Sequence, residues 1–267
     1  MEHIFRQEIT VQVVNAFTGG SANGNPAAVV ILASWLCDQA LLSISQQAAQ
    51  PVTAFVVARD DGYDIRWFSP EKEISLCGHG ALAAAAWVMT LVPSESISFF
   101  STFGNLEIDR VADGYRMKMP AWRRNRDPQL WQEAESMGFT PLDVFSTRDL
   151  IIVLESAAEV RHFQPDFERL RPRDPLQSVI LTAADGETGY VLRNFAPKIG
   201  INEDIATGSA QCSLAPYWLE RLGQPILDAQ QCSSEGGYFR VMANPEGIDL
   251  IVQAELTTQM RRCDAMA

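Results

Sequence analysis

The chain states one long motif twice. Residues 66–87 read RWFSPEKEISLCGHGALAAAAW, and residues 193–218 read RNFAPKIGINEDIATGSAQCSLAPYW. Each copy opens on Arg-x-Phe-(Ser/Ala)-Pro, crosses a polar loop to a small-residue turn, and enters a helical run. The opening arginines stand 127 positions apart (193 minus 66) and the turn glycines, Gly78 and Gly208, 130 apart (208 minus 78), so the second loop is three residues longer. Solenoid repeats are far shorter, roughly 20–50 residues. An offset near half of the 267 residues therefore points to two similar halves. The basic, turn-rich stretch around WRRNRDP is the join. It gives an N-terminal half over residues 1–120 and a C-terminal half over 121–267, with the last strand a candidate to cross back.

An apolar fraction of 47% and a charged fraction of 20% suit an ordinary globular protein whose halves can each bury a core. The net charge of −12 argues against a nucleic-acid or anionic-membrane binder, which needs a basic face. It leaves room for a small anion in a locally positive pocket. Five scattered cysteines without a CxxC pair support neither a disulfide framework nor a zinc site. The N-terminal MEHIFRQEIT lacks the apolar core of a secretory signal, and no apolar run is long enough to span a membrane. The expected compartment is reducing and cytoplasmic.

Along the chain, alternation predicts strands at 8–14, 52–58, 63–68, 97–103, 106–111, 150–154, 178–182, 189–195, 238–243 and 248–254, with a buried strand at 27–32. Asp38 is expected to cap a helix through Ala49. Short helices are expected at 129–137 and 167–170. Residues 81–91 form an alanine-rich helix apolar all round, hence buried. Residues 209–222 form its counterpart, with Pro216 expected to kink or restart it. The fold class is α+β: two similar halves, each a β-barrel-like sheet wrapped around a central apolar helix, with an active-site cleft between them.

In both halves a polar loop delivers small residues to the N-terminus of a buried helix, where unpaired N–H groups and the positive end of the dipole favour carboxylates and oxyanions. If the halves pack about a pseudo-twofold, both termini serve one enolate-type intermediate. The anion-binding candidates are Gly78 and Gly80 in the first copy and Thr207, Gly208, Ser209 and Ala210 in the second. The chemically capable side chains are Cys77 and His79 in one copy, and Glu203 and Asp204 in the other. Taken alone, Cys77 is either a buried small hydrophobe or a thiol tuned by the helix terminus. His79 is either an acid/base or ligand group or a helix cap, and Asp204 is either an acid/base or a cap. Thr207 and Ser209 read as backbone caps that could also donate to a ligand. His79, Glu203 and Asp204 do not make a recognisable metal-ligand spacing, so no metal is expected.

The segments VNAFTGGSANGNPAAVVIL, VTAFV, RWFSPEKEISLCGHGALAAA and GINEDIATGSAQCSLAPYW resemble the phenazine-biosynthesis PhzF-like family, which shares its fold with diaminopimelate epimerase. The likeness runs from about Val13 to Ala254. It implies cofactor-independent proton shifting on a small carboxylate-bearing substrate, and commonly a homodimer. His79 matches the family's active-site histidine, Asp204 its aspartate before the second turn, and Gly208 with Ser209 its anion-binding turn. Cys77 stands where the epimerase relatives keep the first of two catalytic cysteines; the second falls on Thr207.

Where the family writes Ser-Glu-Thr-Ala-Phe-Val, this chain has Pro51-Val52-Thr53-Ala54-Phe55-Val56. The glutamate is the family's general acid/base, and valine cannot carry a proton. Gln211 replaces the usual histidine after the second turn, and Ile205 the usual proline after Asp204. Two function classes follow. One is an isomerase or epimerase that works through Cys77, His79 or Asp204; the other is a catalytically silent member that binds a small carboxylate or a protein partner.

Overall fold

The structure, a computed structural model, describes residues 7–265. Residues 1–6, most of the stretch read for a secretory signal, and residues 266–267 of the tail lie outside them. The chain divides into two compact units. Among the described residues, unit 1 gathers 7–18, 24–118 and 252–265, and unit 2 gathers Gly19–Asn23 and Met119–Ile251.

In chain order the first copy runs β1 (Gln7–Thr18), β2 (Asn25–Leu32), α1 (Asp38–Ala48), β3 (Thr53–Arg59), β4 (Gly62–Phe68), β5 (Glu73–Ile74), α2 (Gly78–Leu91), β6 (Ser96–Ser101), β7 (Gly104–Val111) and β8 (Gly114–Met119). After α3 (Pro128–Ser136) the second copy runs β9 (Asp143–Ser146), β10 (Leu150–Val153), α4 (Ala157–His162), β11 (Val179–Ala184), β12 (Gly189–Ala196) and β13 (Ile201–Asp204). A 3-10 turn (Gly208–Ala210) leads into α5 (Gln211–Leu222), followed by β14 (Ile226–Gln231), β15 (Gly237–Asn244) and β16 (Gly247–Ala265).

The two copies alternate direction identically. In unit 1 the pairs β2–β3 and β4–β6 are parallel, and β1–β2, β3–β4, β6–β7 and β7–β8 are antiparallel. In unit 2 the pairs β10–β11 and β12–β14 are parallel, and β9–β10, β11–β12, β14–β15 and β15–β16 are antiparallel. Strand β16 neighbours β8 in the sheet, and its later part pairs antiparallel with β1, so eight strands of unit 1 close into a barrel.

The middle of α2 is slim because it is mostly alanine, while Leu82, Trp87, Val88 and Met89 are the bulky side chains it buries. Ala81 and Ala83–Ala86 are fully buried, and α2 packs on β1, β2, β3, β6 and β7. The alanines let strands approach the helix on every side. In unit 2 the corresponding helix is α5, packed on β14 and β15. The fold is α+β, with two similar halves, each a barrel-like sheet around a central helix. No helix among the described residues is long and apolar enough to cross a membrane.

Several local expectations need correction. Helix α5 does not restart at Pro216 but runs unbroken through it. A proline leaves the carbonyl four residues back without its helical donor, and here that carbonyl, on Cys212, accepts from the Trp122 N–H at 2.9 Å. Nor is α5 apolar all round, since Gln211 and Ser213 are fully buried on it. Residues 167–170 form only one hydrogen-bonded turn onto the Asp166 carbonyl. Helix α1 has Cys37 as its N-cap, and Asp38 opens the helix, where a carboxylate complements the dipole. Helix α4 and strands β5, β8, β9, β13 and β14 had no reading in the sequence.

Candidate active site

In unit 1 the candidate residues sit where β5 gives way to α2. Cys77 holds extended backbone, and its Sγ accepts the Gly80 N–H at 3.4 Å, so the sulfur itself caps the helix. The Nδ1 of His79 lies 3.2 Å from that sulfur, with the donor set by the imidazole tautomer. His79 is half-buried, and burial pushes its pKa down to about 4. At neutral pH the ring is therefore an uncharged acceptor or donor.

The two glycines beside His79 differ. A side chain begun at Gly78 would meet only the Met117 methyl, at 3.9 Å, so the turn is open there. One begun at Gly80 would lie 2.8 Å from Cδ1 of the Trp67 indole. The missing side chain of Gly80 thus makes way for tryptophan, not for a ligand. Val52, just before β3, is buried at 6% exposure, and its carbonyl accepts the Ala28 N–H at 2.9 Å.

In unit 2 the equivalent turn is built from polar groups. Thr207 donates its hydroxyl to Oδ2 of Asp204 at 2.6 Å. The same hydroxyl oxygen accepts from Asn194 Nδ2 at 3.1 Å and from Gln231 Nε2 at 3.2 Å. Gln231, fully buried, also donates to the Asp204 carbonyl at 2.7 Å and accepts the Thr207 N–H at 2.8 Å. The pairing of Asn194 with Asp204 across β12 and β13 completes the frame. Thr207 is therefore committed to the carboxylate and does not cap the helix, contrary to the sequence reading. Gly208 and Ala210, the small residues of the 3-10 turn, are both buried.

Ser209 is also not a cap. Its Oγ accepts from Arg148 Nη2 at 3.1 Å. Arg148 lies 5.0 Å over the Trp122 ring, and its Nε and Nη2 are held by the fully buried Asp149 carboxylate. Sequence reasoning missed Arg148. The sequence carried no signal for it, since the repeat offers no equivalent cation. The N–H of Ala28 bonds to the residue before β3 and that of Leu150 to the residue before β11, which equates those two positions. Arg148 then stands at the place of Pro26, so the first copy has no such cation. Gln211 faces inward, accepting the Tyr190 hydroxyl.

Each turn is also tied to its motif arginine. Arg66 grips Glu73 through Nε and Nη2, both at 2.7 Å, and Arg193 grips Glu203 at 2.7 and 2.8 Å. The family model described as phenazine biosynthesis-like protein matches residues 14–238. The chain belongs to the PhzF-like family. A Vibrio cholerae relative of this family, named as an uncharacterized isomerase, is 45% identical over 92% of this chain and 88% of its own. The crystal structure of a PhzF-family protein from Enterococcus faecalis superposes with a TM-score of 0.89 at 33% identity, covering 96% of this chain and 99% of that one. A hydroxyproline epimerase from Agrobacterium vitis shares the fold, with a TM-score of 0.62 at 9% identity, over 98% of this chain and 94% of its own. For a PhzF-like chain, the arrangement offers one carboxylate with a fixed hydroxyl donor, one thiol beside a neutral imidazole, and one guanidinium at a serine turn.

Proposed function

We propose that this protein is an isomerase that shifts a proton on a small carboxylate-bearing substrate, with protons carried by its own side chains. The observation that carries the reading is the 2.6 Å bond from Thr207 to Asp204 inside a buried frame of Asn194 and Gln231. Such a frame fixes one carboxylate oxygen and so pre-aims the group, as general acid/base catalysis needs. Asp204 takes or returns the migrating proton. The substrate carboxylate is received by Ser209, the guanidinium of Arg148 and the N–H groups of the Gly208 turn. Cys77 and His79 form the second proton-exchanging group. The naming of relatives as isomerases supports the reaction class.

The second reading, a silent binder of carboxylates, is favoured by one observation: Val52 is apolar and buried where the resembled family carries its glutamate. Deuterium incorporation from D2O into a panel of small carboxylic acids, read by NMR, separates the two. Exchange that disappears in Asp204→Asn supports the isomerase, and binding without exchange supports the silent protein. If Cys77 and Asp204 serve the same substrate molecule, the losses in Cys77→Ser and Asp204→Asn are non-additive in the double variant.

A further inference from the structure

Trp67 and Asn194 hold the same place in the two copies, each directly after the motif arginine. Both are buried, at 1% and 3% exposure. In unit 2 the Asn194 amide donates to the Thr207 hydroxyl oxygen at 3.1 Å. The counterpart of Thr207 is Cys77, by the longer offset of 130 (207 minus 77). The Trp67 indole N–H has no acceptor among the described residues. A buried donor left unmet is costly and calls for an explanation.

The indole lies against the turn. A side chain begun at Gly80 would lie 3.2 Å from Trp67 Nε1 and 3.3 Å from Cys77 Sγ, so the nitrogen and the sulfur flank one point and are at most 6.5 Å apart (3.2 plus 3.3). We propose that the Trp67 indole N–H is the donor for the thiolate form of Cys77, the counterpart of the bond from Asn194 to Thr207. Trp67 is then a positioning residue for proton exchange at that sulfur.

When the S–H bond breaks, the proton passes to water and the electron pair stays on Sγ, 3.2 Å from Nδ1 of the neutral His79 ring. The gathered charge draws the indole N–H inward, beside the Gly80 N–H already at 3.4 Å. His79 cannot supply a standing positive charge, because burial keeps its ring neutral. When Sγ takes a proton from a substrate carbon, the C–H bond breaks, its electron pair stays on the substrate as the enolate-type anion, and the re-formed S–H bond releases the indole. The inference deepens the isomerase reading and rests on it for the use of the thiol.

The test is a pH titration of the indole 1H–15N resonances of the full-length protein, with Trp67 assigned through Trp67→Phe. The Trp67 resonance is expected to move between about pH 6 and 10 and to become flat over that range in Cys77→Ser. Trp67→Phe is expected to raise the midpoint of Cys77 alkylation, followed by peptide mass spectrometry, by about one pH unit, a tenfold loss of thiolate at fixed pH. A resonance that stays flat in the unaltered protein, or still titrates in Cys77→Ser, overturns the proposal. So does an alkylation midpoint unchanged in a folded Trp67→Phe. Coupled titration without deuterium exchange on any acid would sink the isomerase reading and leave this assignment standing. Exchange without coupled titration would sink this one alone.

Discussion

The hydroxyl of Thr207 donates to Oδ2 of Asp204 across three residues of chain, at 2.6 Å. Because that hydroxyl also accepts from Asn194 and Gln231, its proton has one direction left to point. Thr207→Val removes the donor and takes one acceptor from each of the Asn194 and Gln231 amides. Thr207→Ser keeps the network, and is expected to retain proton exchange where Thr207→Val loses about 10²-fold or more. Comparing exchange rates of the two variants, both checked for folding by circular dichroism, measures this.

His79 makes stability depend on pH. Its folded pKa, lowered by burial to about 4, lies below the ordinary value of 6.5. Between these values the unfolded chain binds a proton that the folded one does not. The contribution is therefore whole above about pH 6.5 and is lost as pH falls towards 4. Urea unfolding at pH 7.5 and pH 5 should show the unaltered protein losing up to about 1.4 kcal/mol per pH unit more than His79→Gln across that window.

The paired arginines predict unequal costs for similar chemistry. The side chains of Arg193 and Glu203 are 10% and 20% exposed, against 26% and 37% for Arg66 and Glu73. Glu203→Gln should cost about 1.5–3 kcal/mol, whereas Glu73→Gln should stay within about 1 kcal/mol. Denaturant midpoints decide it, and equal costs would contradict the burial argument.

Much of the fold was legible because its determinants repeat. The change of offset from 127 to 130 falls in the loop between the arginine and its glutamate. The structure lands both glutamates, Glu73 and Glu203, on their arginines despite that insertion. The alanine run of α2 could be read as buried because no face of it is polar. By contrast, α5 passes through Pro216 because Trp122, 94 positions before it (216 minus 122), takes the freed carbonyl of Cys212, which no local pattern shows. Strand β14 reads ILDAQQ, and its Gln231 looks like a surface residue. Its burial is intelligible only once Asp204 and Thr207 are in place around it. Arg148 likewise gains meaning only from Ser209, 61 residues later.

Arg148 should govern carboxylate binding. Its guanidinium is oriented by Asp149 and Trp122, so it needs little reordering to receive an anion. Calorimetry with small carboxylic acids should show Arg148→Ala weakening binding about ten- to a hundredfold. Arg148→Lys, which keeps the charge and loses the planar fork, should recover only part of it.

The central claim is that Asp204 moves a proton. Deuterium incorporation from D2O, followed by NMR on a panel of small carboxylic acids, tests it most directly. The account predicts exchange at one carbon of at least one acid, reduced about 10²–10⁴-fold in Asp204→Asn with carboxylate binding retained. Exchange undiminished in Asp204→Asn, or a protein that binds an acid and never exchanges it, would contradict the account.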